Sequence, residues 1–141
     1  MAVMADAVSS FRAASEANNI DALMETLAPD AKLLSPISGR MVFRGSRDLR
    51  ILFTAIYGSL GQLRWREEIG DDSARVVVGE ARVFGVPLHD AMVLDLTVDG
   101  QIERIRPHIR PWLALTLLFF RVIPMIAGHP GVVWRALRDE G

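Results

Sequence analysis

The sequence predicts an α+β protein in which helices come first and an antiparallel sheet follows. Three observations carry that reading. Residues 2–17 and 46–57 repeat apolar side chains at helical spacing. The stretch from Val76 to Arg110 alternates its side chains through three long strands. Asp99-Gly100, between the last two of these strands, is a strong hairpin signal. Helices followed by a run of strands form the α+β pattern.

In the first helix, Ala2 to Ala17, the residues Val8, Phe11, Ala14 and Ser15 share a face. Asn18-Asn19 breaks it and offers an N-cap to a second helix, Ile20 to Leu27, which Pro29-Asp30 ends. Ala31 to Ser35 and Met41 to Phe43 are short strands around a loop from Pro36 to Arg40. Ser46 caps a third helix through Tyr57, whose apolar residues are Leu49, Leu52, Phe53 and Ile56, and Gly58 closes it. Leu63 to Gly70 sets Leu63, Trp65 and Ile69 against Arg64, Arg66 and Glu68, the alternation of a strand.

The turns fix the register of the three long strands. A two-residue type I′ turn at Asp99-Gly100 puts Val98 opposite Gln101. Outward from there, Leu94 pairs with Ile105, Met92 with Pro107 and Asp90 with Ile109. The alternate pairs are Asp95 with Arg104, Val93 with Arg106 and Ala91 with His108. Centring the earlier turn, Gly85-Val86-Pro87, on Val86 puts Glu80 opposite Met92 and Arg82 opposite Asp90. One face then carries Val78, Glu80, Arg82, Asp90, Met92, Leu94, Ile105 and Pro107, and the other carries Val77, Gly79, Ala81, Val83, Ala91 and Val93. A slip of one residue exchanges the faces.

Composition bounds the function. The chain has 141 residues, 50% of them hydrophobic and 23% charged, as expected of one globular domain able to bury roughly 70% of its unfolded surface. A net charge of −1 gives no field to favour nucleic acid, and no basic stripe is present, so nucleic acid is not an expected partner. The absence of cysteine rules out disulfides and thiolate chemistry and suits a reducing cytoplasm, the expected location. MAVMADAVSSFR has neither the basic region nor the apolar core of a signal peptide, and no 18-residue apolar run is present.

The words NNIDALMETLAPDAKLLSP, then FRGSRDL, then the DGQIERI hairpin occur in an order that resembles the nuclear-transport-factor-2-like superfamily and its SnoaL-like branch, over about residues 5 to 110. The resemblance implies a cone-shaped, curved antiparallel sheet wrapped on N-terminal helices, with a pocket on the concave face. It implies a domain over residues 1–110 with residues 111–141 added as a helical tail. The relatives it points to include ketosteroid isomerases, limonene epoxide hydrolases and polyketide cyclases, and homodimers are common among them. Fold alone does not choose between such chemistries.

Carried over residue by residue, the resemblance shows mainly what is missing. The oxyanion-donating tyrosine of a ketosteroid isomerase falls on Phe11, the general base on Ser35 before Pro36, and the protonated aspartate near Met92. A phenyl ring cannot donate a hydrogen bond, and an unassisted serine is a poor base. The epoxide hydrolase set falls on Leu33, Ser35, Val78, Glu80 and Pro107, which leaves one acid.

The expected function is binding of a small apolar or amphipathic molecule in a mostly apolar pocket, with isomerase-, cyclase- or hydrolase-type chemistry for which Glu80 is the candidate acid or base; the alternative is a non-catalytic dimeric interaction protein. Among Val78, Met92 and Ile105 its carboxyl would be raised by desolvation; the competing reading has it neutralised by Arg82 or solvated at the cone mouth. Ser35, Tyr57, Trp65, Phe11, Arg82 and Asp90 complete the expected lining, with Arg82 and Asp90 as a cross-strand pair. His89, His108 and His129 lack the spacing of a metal site, and no cofactor fingerprint is present, so neither metal nor cofactor is expected. A homodimer is expected on the flat patch of Gly79, Ala81, Ala91 and Val93. The tail, Trp112 to Phe120 and on to Ala127, is apolar all round. It is expected to pack on the cone opening or a dimer partner, with Pro124 kinking or ending the helix. Membrane contact is the lesser alternative, because the segment shows no polar face before Arg121.

Overall fold

The structure is a computed structural model that describes residues 6–36 and 40–137. Residues 2–5 of the expected first helix and residues 37–39 of the expected loop lie outside that range. Helices α1 (Ala7–Glu16) and α2 (Ile20–Met24) lead into strands β1 (Leu27–Leu34) and β2 (Val42–Arg44), then helix α3 (Ser46–Ser59). Strands β3 (Gly61–Gly70), β4 (Ala74–Val83), β5 (Val86–Leu96) and β6 (Ile102–Arg110) follow, and helices α4 (Trp112–Ala127) and α5 (Pro130–Leu137) end the described chain. The α+β reading holds.

The helix starts follow local chemistry. Asp6 accepts a hydrogen bond from Ser9 N–H at the start of α1, and Asn19 accepts one from Ala22 N–H at the start of α2. Ser46 is already the first residue of α3, and Gly45, at φ 85°, is the cap that lacks a side chain. The second helix is shorter than its sequence suggests. Pro29 and Asp30 lie inside β1, where the pairing to β6 shifts between Leu27 and Lys32, so the absent N–H of Pro29 falls in an irregular stretch.

The six strands form one curved sheet in the order β2-β1-β6-β5-β4-β3. All neighbours are antiparallel except β1 and β6, which run parallel. The sheet is thus mixed rather than purely antiparallel. Parallel pairing needs a long crossover, and here it is everything from β2 to β5.

The β5–β6 register is the one expected, with Leu94 opposite Ile105, Met92 opposite Pro107 and Ala91 opposite His108. The turn itself differs. Leu96 pairs with Ile102, Thr97 N–H donates to Gln101 C=O, and the extra residue is absorbed by a bulge beyond Asp95. Pro107 falls where β6 is locally an edge, a place that tolerates a residue without an N–H. The β1–β6 pairing ends at Ile105, so beyond that point β6 has a strand on one side only.

The β4–β5 register departs from the expectation, and it decides the site. The turn is Phe84-Gly85, with φ 50° and 76° as a two-residue hairpin loop requires, so Val83 pairs with Val86 and Glu80 with His89. The shift is odd, so β4 turns over relative to β5. The inward face carries Val77, Gly79, Ala81, Val83, Leu88, Asp90, Met92 and Leu94. Val78, Glu80 and Arg82 face outward.

The core fills the space between this inner face and helices α1 and α3. Phe11, Phe53 and Tyr57 meet there, with Phe11 edge-on to both rings and Phe53 stacked on Tyr57 at 5.8 Å between centroids. In β3, a bulge between Trp65 and Glu67 reverses the alternation, so Leu63 and Trp65 point inward while Ile69 is exposed. Gly79 makes room for Trp65: a Cβ there would stand 2.6 Å from the ring's Cε3. The Trp65 ring donates Nε1–H to Ser15 Oγ on α1 at 2.8 Å, which ties the edge strand to the first helix.

Helix α4 runs through Pro124 to Ala127 without ending there. The C=O that Pro124 leaves without an intrahelical partner belongs to Phe120, which is exposed to water. The helix packs Ala114, Leu118, Val122 and Ile126 onto α3 and β4–β6, and α5 returns across β2.

Candidate functional site

The concave face of the sheet does not close on the helices. It leaves a cavity of about 320 Å³. Its floor is Leu33, Leu88, Asp90, Met92 and Pro107 from the sheet, with Trp65 to one side. Leu52, Phe53, Ile56 and Tyr57 of α3 form one wall, and Leu118, Phe119, Val122 and Ile126 of α4 form the roof. Almost every one of these side chains is apolar, so the few polar atoms set what the cavity can do.

Asp90 is the first of them. β5 places it opposite Gly79 on one side and Ile109 on the other, on the inward face and almost entirely buried. Its Oδ1 accepts a long hydrogen bond, 3.3 Å, from the His108 backbone N–H. Burial penalises the charged form and pushes the carboxyl up to about 7, while the His108 N–H pulls the other way without prevailing. Tyr57 is the second. Its hydroxyl is buried with no hydrogen-bond partner among the described residues, and burial, aided by the charge of Asp90, holds its pKa well above the ordinary value. It is therefore a neutral phenol with a donor to offer. Ser35, at the end of β1, is the third polar residue in the wall.

The expected site residues separate into two groups. Ser35, Tyr57, Trp65, Asp90 and Met92 line the cavity together. Phe11 and Ile105 are fully buried beside it, in the core rather than in its wall. Val78 and Arg82 are on the outer face, where Arg82 donates to the Gly85 C=O instead of meeting Asp90.

Glu80 is the main correction. Part of the residue borders the cavity, but its side chain is 44% exposed and its carboxylate is held by Arg66, with N–O distances of 3.1 and 2.8 Å. That ion pair lowers its pKa instead of raising it. The desolvated acid sought at Glu80 is found at Asp90. A signal in the sequence pointed there: Val77, Gly79, Ala81 and Val83 are all small and apolar, whereas the alternate set holds the charged Glu80 and Arg82, so the first set belongs inside. Pro107 stands on the inward face as the sequence reading had it, while Leu88 and the individual α4 residues escaped that reading because their place depends on that turn and on how the tail folds back.

Among the described residues no group of three or more His, Asp or Glu is arranged to hold a metal ion.

No protein-family model and no curated protein matches the chain in sequence. Solved structures match it in shape. An uncharacterised bacterial protein with a cystatin-like fold from Silicibacter pomeroyi DSS-3 superposes with a TM-score of 0.85 at 12% identity, over 92% of this chain and 93% of that one. A steroid delta-isomerase from Pseudomonas aeruginosa gives 0.78 at 18% identity, over 93% and 98%. A nuclear-transport-factor-2-like protein of unknown function from Cytophaga hutchinsonii ATCC 33406 gives 0.62 at 12% identity, over 79% and 96%. The chain has the nuclear-transport-factor-2-like fold.

Proposed function

We propose that the cavity binds one small apolar carbonyl compound and catalyses a proton shift within it, as an isomerase does. The observation that carries this reading is the Asp90 carboxyl, buried in an apolar cavity and poised at about 7. A base with that pKa is half ionised near neutral pH, where it can both take and return a proton. The likeness in shape to a steroid delta-isomerase supports the reaction class but not the residues, since Phe11 cannot donate a hydrogen bond and a serine such as Ser35 is a poor base.

The chemistry runs through two groups. Asp90 takes a proton from the carbon between a carbonyl and an isolated double bond. The resulting dienolate oxygen is stabilised by the hydroxyl of Tyr57, a buried donor that lines the cavity and has no hydrogen-bond partner among the described residues. Asp90-H then returns the proton to the far end of the dienolate, and the double bond moves into conjugation. No cofactor is consumed and no redox change occurs.

A β,γ-unsaturated ketosteroid is a direct probe, because the conjugated enone it yields absorbs in the ultraviolet. The expected result is turnover that Tyr57→Phe lowers by roughly 10²–10³-fold. No turnover, together with no shift in melting temperature on adding the steroid, overturns the reading.

We also propose a homodimer through the outer sheet face, on a smaller patch than the sequence suggested. Gly79 and Ala81 point inward, which leaves the half-buried Val78, Ala91 and Val93. Light scattering at micromolar concentration tests it, and a monomeric mass rejects it.

A further inference from the structure

The C-terminal helices present an apolar surface that the cavity does not use. On α4 the buried stripe is Ala114, Leu118, Val122 and Ile126. Helical spacing puts Leu113, Phe120, Ile123 and Ala127 on the opposite side, all exposed, Phe120 by 67% and Ile123 by 49%. Trp112, at the head of the helix, is 76% exposed. α5, turned 113° from α4, adds the exposed Trp134 and Leu137. Beside α4, the β4–β5 turn leaves Phe84 in the open with the Arg121 guanidinium 5.1 Å from its ring centroid. No Asp or Glu occurs in residues 104–138, and Arg110 and Arg121 have no carboxylate partner among the described residues.

The charge pattern chooses between occupants. A second copy docked by the same face would bring its own Arg121, with no acid in residues 104–138 to answer it. An anionic bilayer supplies what the surface lacks: negative charge at the headgroups, an apolar layer just beneath, and a boundary between them that suits indole rings. Lack of a polar face in the sequence of α4 argued against this. The structure removes the objection, because one side of the helix is satisfied by its own domain and only the other meets the surroundings. Among the described residues no single helix is long and apolar enough to cross a membrane; α4 and α5 are so only as a pair bent by 113°, and because α4 buries Ala114, Leu118, Val122 and Ile126 in its own domain the contact argued for is a surface one.

We propose that the exposed side of α4, with Trp112 at its head and Arg121 and Phe84 on its flank, docks on an anionic lipid surface. This goes beyond the reaction in the cavity and does not depend on it. The two do adjoin: Ile123 and Ala127 stand on the exposed side and in the cavity wall alike.

The test is sedimentation of the full chain with vesicles of phosphatidylcholine alone and of phosphatidylcholine mixed with phosphatidylglycerol. Binding to the mixed vesicles is expected to be at least about tenfold stronger and to weaken with added salt. The double variant Trp112→Ser, Phe120→Ser is expected to lose that binding while keeping the wild-type melting curve. Should that variant not fold, quenching of the wild-type tryptophans by brominated lipid reads insertion without it. Absence of binding to mixed vesicles, equal binding to both kinds, or binding unchanged in the folded double variant overturns the proposal. So does a dimer in light scattering that the double variant abolishes, with no vesicle binding, since the surface then belongs to a second copy.

Discussion

Gly79 faces Asp90 across β4 and β5, and the next pair along is Glu80 with His89. Two carboxylates thus stand one register step apart and meet opposite surroundings. Asp90 is in an apolar cavity with one long hydrogen bond, and its pKa is pushed up to about 7. Glu80 is outside with two contacts to Arg66, and its pKa is lowered. Residue type does not explain the difference, and neither does distance along the chain. The face of the strand does.

The strongest way to break this comparison is to neutralise each acid in turn. With the ketosteroid probe, Asp90→Asn is expected to lower turnover by about 10²–10⁴-fold, the range typical of a lost acid–base group. Glu80→Gln is expected to leave turnover and fold unchanged, and equal losses in the two variants would erase the distinction drawn here.

A second test reads the same contrast as stability. The folded pKa of Asp90, about 7, stands above its unfolded value near 3.8, so between those limits the native state holds the proton more tightly. Stability should then fall as pH rises from about 4 to 7 and level off above, by on the order of 4 kcal/mol at most. Urea titrations across that window should show the slope in the wild type and lose it in Asp90→Asn. Glu80→Gln should retain it.

The smallest of the expected effects probes the two faces of β4. Gly79→Ala puts a Cβ 2.6 Å from Trp65 Cε3 and 2.8 Å from the Arg64 C=O, and crowding of this kind costs roughly 1–3 kcal/mol. Val78→Ala, one residue along on the outer face, should cost less than about 1 kcal/mol, because that side chain is only half buried. Thermal melts of the two variants sharpen the assignment of faces, and the reverse order would contradict it.

Much of the fold was legible because it depends on local signals. Asn19 and its α2, the helical spacing in α1 and α3, and the β5–β6 register all follow from residues close in sequence. Even a wrongly read turn at Asp99-Gly100 left that register intact, since a bulge past Asp95 restored the count. The β4–β5 turn allowed no such recovery. Reading Val86 instead of Phe84-Gly85 as its centre changed an odd number of positions and sent Glu80 inward in Asp90's company, with Val78 and Arg82. The site was thus legible to within one turn: Ser35, Tyr57, Trp65, Asp90 and Met92 were named, and the role was placed on the wrong acid. The roof was legible only as one of two choices, the cone opening or a dimer partner, because an apolar helix such as α4 shows by sequence that it is buried somewhere but not against what. Its exposed half, with Phe120 and Ile123, was invisible for the same reason.

The parallel pairing of β1 with β6 has a consequence in time. Leu27 meets Ile102 and Leu33 meets Ile105, partners from opposite ends of the sheet's stretch of chain. β3, β4, β5 and β6 can pair successively through short connections, but β1 gains β6 as a neighbour only after the chain between them is in place. Contacts of such long sequence separation slow folding, because the loop must close before they are formed. During synthesis on a ribosome, the segment holding α1, α2 and β1 therefore emerges long before its sheet exists. Until β6 appears, Val8, Phe11 and Leu33 lack the inner sheet face that buries them, and this is the interval in which the chain is most open to aggregation.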